Sequence, residues 1–344
     1  IRLTRIGESV RVESRLYMKK RDIFEPREHL KPFEYPEALE FIKAINQSFW
    51  LHTEWNFTQD IHEYKVVLSN NEREIIKRCM LLISQIEVGV KKFWQNLDRH
   101  FPKPEINAMG VSFGEAETRH ALAYSELLEV LGLNDEFEKI YDIPAIIDRH
   151  NYLKKYKEFT SARIEEKFLR SLILFSLFIE NVSLFSQFFI IMSFNKHKKV
   201  LKDINNVVAA TSKDEKIHAL GGEWLINLLR EEHPEFFTED LKDSVNNYCL
   251  KAYKAEEKVL DWIFEGGDLD FLKKDDVKEF VKNRMNLSLD GIGFDKVFEV
   301  DSSLLESTEW FDVEILSDTH VDFFSQRPTS YSKFNKSFSE DDLF

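Results

Sequence analysis

The sequence predicts an all-α helical bundle, on three observations. Apolar residues recur at intervals of three and four rather than two along most of the chain. Glycine and proline number 11 and 8 in 344 residues, about half their average frequency, which argues against sandwiches, barrels and turn-rich α/β folds. Thirty phenylalanines in a 43% hydrophobic composition supply a large buried core in one domain or two.

The elements follow in order. Pro36 opens a helical pattern that runs to about Trp50. After residues 54–60, Asn70 and Asn71 are good N-cap residues for a long helix to about His100, beyond which Pro102 and Pro104 break the chain. A third pattern runs over 105–131 and stops at Gly132, because glycine readily takes the left-handed conformation that ends a helix. Shorter helices are expected over 135–160 and longer ones over 162–194, 203–230 and 239–265, the last stopping at Gly266 and Gly267. One more short helix is expected over 274–289. From about residue 300 the pattern dissolves into acids, serines and isolated aromatics, ending Ser339-Glu-Asp-Asp-Leu-Phe344. Such a segment cannot bury a core of its own but can dock on a partner. The expected organisation is an N-terminal extension over 1–35, a helical domain over 36–299 and a flexible tail over 300–344. No internal repeat of fixed period is found.

The net charge of −14 repels nucleic-acid phosphates, and the one basic run, Lys196-His197-Lys198-Lys199, reads as a solvated helix end. The glycines form neither GxGxxG nor GxxxxGK, so no loop cradles a nucleotide by its backbone. Cys79 and Cys249 are 170 residues apart, which excludes a disulfide framework and a thiolate zinc site and fits a reducing, cytoplasmic setting. No charged-then-apolar leader opens the sequence, and an initial Ile1 rather than Met points to a longer natural N terminus.

The stretch 171–194 carries a single charge, Glu180, at its middle. Its apolar length would suffice for a membrane span. Asn181, Gln187 and several serines interrupt it and no second span exists, so a central helix of a bundle is the better reading, with no membrane involved. An ionised carboxylate there costs several kcal/mol unless it is paired or binds a metal. Glu87 poses the same problem among the apolar residues of 81–90. Glu117 and His120 form Glu-x-x-His, and Glu215 and His218 form a second. Positions i and i+3 share a helix face, so each motif aims a carboxylate and an imidazole at one point. Chance alone supplies about one such motif in a chain of this composition. The arrangement is more specific: a helix with a lone glutamate precedes each Glu-x-x-His helix. Four carboxylates and two imidazoles make a hard oxygen and nitrogen site suited to iron or manganese, against the alternative of buried ion pairs. The pattern is that of ferritin-like di-metal carboxylate proteins.

On these residues the chain resembles the radical-generating small (beta) subunit of class I ribonucleotide reductase, a ferritin-like homodimer. The resemblance covers about residues 36–230, with a tail similar in style. It rests on Ser48-Phe-Trp50 followed by Glu54 and Asp60, Glu117-x-x-His120-x-x-x-Tyr124, Glu180 with Phe188 eight residues on, and Ser212-Lys-Asp-Glu-Lys-Ile-His218. The resemblance implies a dinuclear centre of manganese or iron, two ions per chain, held by Glu87, Glu117, His120, Glu180, Glu215 and His218. It implies a stored radical at Tyr124, one helical turn beyond His120, and an electron relay through Trp50 and Asp214. Tyr331 would pass the radical on, and the end Glu340-Asp-Asp-Leu-Phe344 would dock on the large (alpha) subunit, where the terminal aromatic would act as an anchor. Ribonucleotide reduction would then take place on that partner, which must supply the reactive cysteines.

Two features depart from the commoner family pattern. Many members have aspartate where this chain has Glu87, and those with glutamate include manganese-using kinds that hold the oxidant on the metals, which would leave Tyr124 unoxidised. The interval from Glu180 to Glu215 is 35 residues, one longer than usual, implying an insertion in the intervening turn. Two other functions compete with this one: a ferritin-like oxidase acting on its own organic substrate, and a metal store or helical scaffold. Neither accounts for Trp50, Asp214 and the tail.

Overall fold

The computed structural model describes residues 21–87, 90–153 and 165–317. Its principal helices are α1 (Glu37–Gln47), α2 (Asn70–Glu87), α3 (Pro104–Leu131), α4 (Pro144–Leu153), α5 (Glu165–Ile173), α6 (Phe185–Lys198), α7 (Lys202–Glu232), α8 (Glu239–Ile263), α9 (Lys274–Gly291) and α10 (Glu309–Ser317). Among the described residues there is no β-strand, only an isolated bridge between Leu269 and Leu272. The expected all-α class is the observed one.

Local chemistry accounts for the ends of these helices. Pro104 sits in the first turn of α3, where its missing N–H is not needed, and Gly132 closes that helix with φ 75°. Thr238 caps α8 through its side chain, which accepts from the Leu241 N–H. Between α6 and α7 the chain turns within three residues, Lys199 and Leu201 both taking left-handed backbone conformations (φ 60° and 56°). Carboxylates hold this costly turn: Glu63 accepts from the Leu201 N–H at 2.6 Å, and Asp60 accepts from the Asp203 N–H at 3.1 and 3.2 Å.

The helix expected over 162–194, with its apolar stretch 171–194, is one helical run in the described residues, Glu165–Lys198, long and apolar enough by composition to cross a membrane. Its most apolar window is entirely buried by the surrounding helices. It is not uniformly α-helical: Leu174–Ser183 form a π-helix between α5 and α6, and this wider segment carries Glu180. Departures of this kind concentrate at functional sites. The π segment packs on α7 and α9, α6 packs on α2, and α3 packs on both α2 and α7, which closes a ring of four helices around one interior point. Gly222 on α7 permits the closest of these approaches, because a Cβ there would lie 2.2 Å from the Ser176 Cβ.

One expectation needs correction. The helix expected to reach His100 is described as an α-helix over Asn70–Glu87, and it is not continuous to His100, since Val90 lies in a turn. A short helix, Lys91–Gln95, and a 3-10 turn, Leu97–Arg99, follow further along. The short helix seats Trp94, whose buried ring meets Phe113 and Phe175 edge-on, and it lies against α3 at Gly110, where a Cβ would strike the Trp94 carbonyl. Residues on both sides of 36–299 also pack on the helices. Ile23 and Tyr35 are fully buried, Arg27 pairs with Glu105, and the Tyr35 hydroxyl bonds Glu232 at 3.0 Å. At the other end α10 inserts Phe311 among Phe185, Phe189 and Phe280. The remaining tail, 318–344, lies outside the described residues, as do Tyr331 and the terminal Leu343 and Phe344.

Candidate metal centre

Each helix of the ring contributes its predicted residue: Glu87 from the end of α2, Glu117 and His120 from α3, Glu180 from the π segment, Glu215 and His218 from α7. All six are at most 2% exposed. They form two overlapping groups, Glu87, Glu117, His120 and Glu215 in one and Glu117, Glu180, Glu215 and His218 in the other, with ligand atoms in each group within 4.8 Å of one another. Glu117 and Glu215 belong to both groups. The six residues therefore form two adjoining groups of potential ligands with two carboxylates in common, and would hold two ions.

The imidazoles point the same way. His120 Nδ1 lies 3.1 Å from Glu215 and 3.5 Å from Glu117, and His218 Nδ1 lies 3.1 Å from Glu117 and 3.3 Å from Glu215. Both Glu87 oxygens and Glu180 Oε2 have no protein hydrogen-bond partner although they are buried. Buried polar atoms are seldom left so. Burial pushes the Glu87 and Glu180 carboxyls well above their usual range, with the charges of Glu117 and Glu215 adding to the effect. At Glu117 burial acts in the same direction, but the bonds to His120 and His218 outweigh it and hold the carboxyl down at about 2. Four carboxylates in a dry interior require cations, and two divalent ions would balance their charge. The oxygen-rich donor set fits iron or manganese better than zinc or copper. Trp94 adds an outer contact, its indole N–H donating to Glu180 Oε1 at 2.5 Å.

Behind His120 lies a second cluster. Asp214 Oδ2 accepts from the Trp50 indole N–H at 2.9 Å and faces His120 Nε2 at 3.1 Å, while Oδ1 accepts from the Ser48 hydroxyl at 3.0 Å. The Trp50 and His120 rings stack with centroids 5.8 Å apart. Arg119 closes the group, 3.4 Å from Asp214, with its guanidinium over the Phe49 and Trp50 rings. Burial raises the Asp214 carboxyl, but His120 and Arg119 outweigh it and hold it below the usual carboxylate value. Burial disfavours the His120 imidazolium, yet Asp214, Glu117 and Glu215 raise its pKa well above the usual one. Tyr124 is fully buried one turn along α3, and its hydroxyl makes no hydrogen bond of good geometry. Burial, joined by the Glu87 charge and opposed by the Thr211 hydroxyl, pushes this phenol's pKa far up.

Sequence reasoning missed Trp94 and Arg119. An arginine inside the apolar face of α3, beside a ligand position, is the signal that could have found Arg119. Trp94 offered none, because its approach to Glu180 depends on the interrupted path after α2.

Comparison with known proteins agrees with this geometry. The family described as "Ribonucleotide reductase, small chain" matches residues 27–304. The probable ribonucleoside-diphosphate reductase small subunit of Invertebrate iridescent virus 3 is 26% identical over 322 residues, covering 89% of this chain and 85% of the viral one. Among solved structures, the ribonucleotide reductase R2 subunit from Clostridium botulinum superposes with a TM-score of 0.74 at 19% identity, over 82% of this chain and 89% of its own. The dimanganese(II) NrdF of Streptococcus sanguinis does so with a TM-score of 0.70 at 16% identity, over 83% of this chain and 99% of its own. The resemblance read from the sequence is thus matched across most of the chain's length, and the chain belongs to the ribonucleotide reductase small-chain family.

Proposed function

We propose that this small subunit holds a dinuclear iron or manganese centre with Glu87, Glu117, His120, Glu180, Glu215 and His218, and passes a one-electron oxidant to a large subunit that reduces ribonucleotides. When bound, the ions supply the oxidising equivalent. The residues around them bind, orient and connect. Glu117 and Glu215, common to both groups, would help to hold both ions, Trp94 orients Glu180, and the surrounding phenylalanines exclude water.

The observation that carries the reading is the path Trp50–Asp214–His120. The ring nitrogen of His120 opposite its ligand nitrogen bonds the same carboxylate oxygen that accepts the Trp50 indole proton. Oxidation of Trp50 makes its N–H strongly acidic, and Asp214, held ionised by its neighbours, is placed to take or share that proton while the electron moves toward His120. Arg119 and Ser48 fix Asp214 in this position. An oxidase acting alone on an organic substrate has no use for such a path.

Tyr124 is the candidate for a stored radical. Glu87, with the longer arm, supports the alternative that the oxidant stays on manganese ions and Tyr124 is not oxidised. Tyr331 and the acidic-aromatic end of the tail are proposed to carry the oxidant to, and dock on, the large subunit, and the subunit is proposed to act as a homodimer in the cytoplasm. Replacing Trp50 by Phe tests the path. Metal loading is expected to stay intact and turnover with the large subunit to be abolished. Unchanged turnover would remove the relay from the account.

A further inference from the structure

The backbone on both sides of Glu180 is held by residues that belong to neither the metal cluster nor the relay. Arg284 on α9, 4% exposed, donates from Nε to the Asn181 carbonyl and from Nη2 to the Asn181 side-chain oxygen, both at 2.7 Å. Its guanidinium lies 3.7 Å from the centroid of the Phe185 ring. The Asn181 amide in turn donates to Ser288 on α9 at 2.7 Å, and Ser288 donates to the Leu177 carbonyl at 3.3 Å. Helix α9 therefore grips the π segment three residues before Glu180 and one residue after it. The third arm of Arg284, Nη1, reaches Asp312 on α10 at 3.1 Å. Burial lowers the guanidinium pKa to about 10 even though Asp312 works against that loss.

We infer that Arg284 is a positioning residue for Glu180, and that its ion pair with Asp312 couples the placement of this ligand to the docking of helix α10. The inference rests on the metal-binding reading above. A π segment is a less regular support than an α-helix, and among the described residues Trp94 donates a hydrogen bond to one Glu180 oxygen while the other has no donor, so the position of the carboxylate depends on how the main chain at Asn181 is held. A guanidinium can serve two acceptors on Asn181 and a carboxylate at once because its donors lie in a rigid plane, which a lysine cannot reproduce. Asp312 keeps that plane turned toward the π segment. Since α10 is otherwise seated by Phe311, the element just before the tail and a metal ligand share one buried cation.

The test compares Asp312→Asn, Asp312→Glu and Arg284→Lys with the parent and with Asp240→Asn, which removes a surface ion pair to Arg170 further up the same helical run. Each full-length protein is titrated with manganese, and the electron paramagnetic resonance spectrum of the loaded form is recorded with its thermal melting. Asp312→Asn and Arg284→Lys are expected to weaken binding of one of the two ions about tenfold and to change the spectrum. Asp312→Glu should restore both, and Asp240→Asn should change neither. Parental binding and spectra in Asp312→Asn and Arg284→Lys, whatever their melting temperatures, would overturn the coupling and leave the metal reading standing. A parent that binds no manganese or iron would overturn both.

Discussion

Asp214 gathers polar hydrogens from Ser48, Trp50, Arg119 and the His120 ring, and the proposed relay rests on this convergence. Asp214→Asn keeps the shape but puts a donor where an acceptor is needed. Metal content is expected to hold while turnover with the large subunit falls by about a hundredfold or more, measured with both subunits present. Asp60 gives a prediction of a different kind. Burial, against the backbone N–H groups of Asp203 and Ile204, raises its carboxyl to about 6 from 3.8. The folded state therefore binds the proton more tightly than the unfolded state, and this site's contribution to stability falls as pH rises from about 4 to 6. Asp60→Asn should cap α7 nearly as well and lose that slope, so the stability difference between parent and variant should shrink or reverse across the window in denaturant titrations. The clustered glutamates and histidines were legible in the sequence because a charge in an apolar helix face demands a partner. Arg119 was less legible, since an arginine on a long helix is ordinarily a solvated residue.

Among the elements, the π segment decides where Glu180 stands. Nothing in the sequence marks it. A helix buried on every side has no polar stripe, so its apolar pattern carries no phase from which a change of helical pitch could be read. The end of α2 was misjudged for a related reason: Trp94 suits a continued amphipathic helix as well as the separate short helix it occupies. Close approach of α7 to the π segment is expected to be indispensable. In Gly222→Ala the new Cβ meets Ser176, which should cost about 1–3 kcal/mol and separate Glu180 from Glu215 and His218, lowering metal content. Adding Ser176→Gly should recover part of both losses, read by thermal melting and elemental analysis. Failure of the second substitution to recover either would mean that α7 and the π segment do not depend on this contact.

At the scale of the molecule the sequence showed the helical class and the order of the four ligand helices, because both follow from periodicity and spacing. The packing of residues beyond 299 was not legible in it. Trp310 and Phe311 stand among acids and look isolated in one dimension, and only a three-dimensional groove between α6 and α9 gives them neighbours. A chain ending at 317 should keep its melting temperature and metal content and, on the proposed function, lose binding to the large subunit. A chain ending at 299 should be markedly destabilised, since loss of the Phe311 packing alone is worth about 3–5 kcal/mol. On the proposed function Glu87, Glu117, His120, Glu180, Glu215 and His218 together hold a pair of metal ions. Elemental analysis of the protein purified from cells supplied with both iron and manganese tests it most directly. About two ions per chain are predicted, manganese favouring an oxidant kept on the metals and iron favouring Tyr124. Less than about one ion of any kind per chain, persisting after reloading, would contradict the claim.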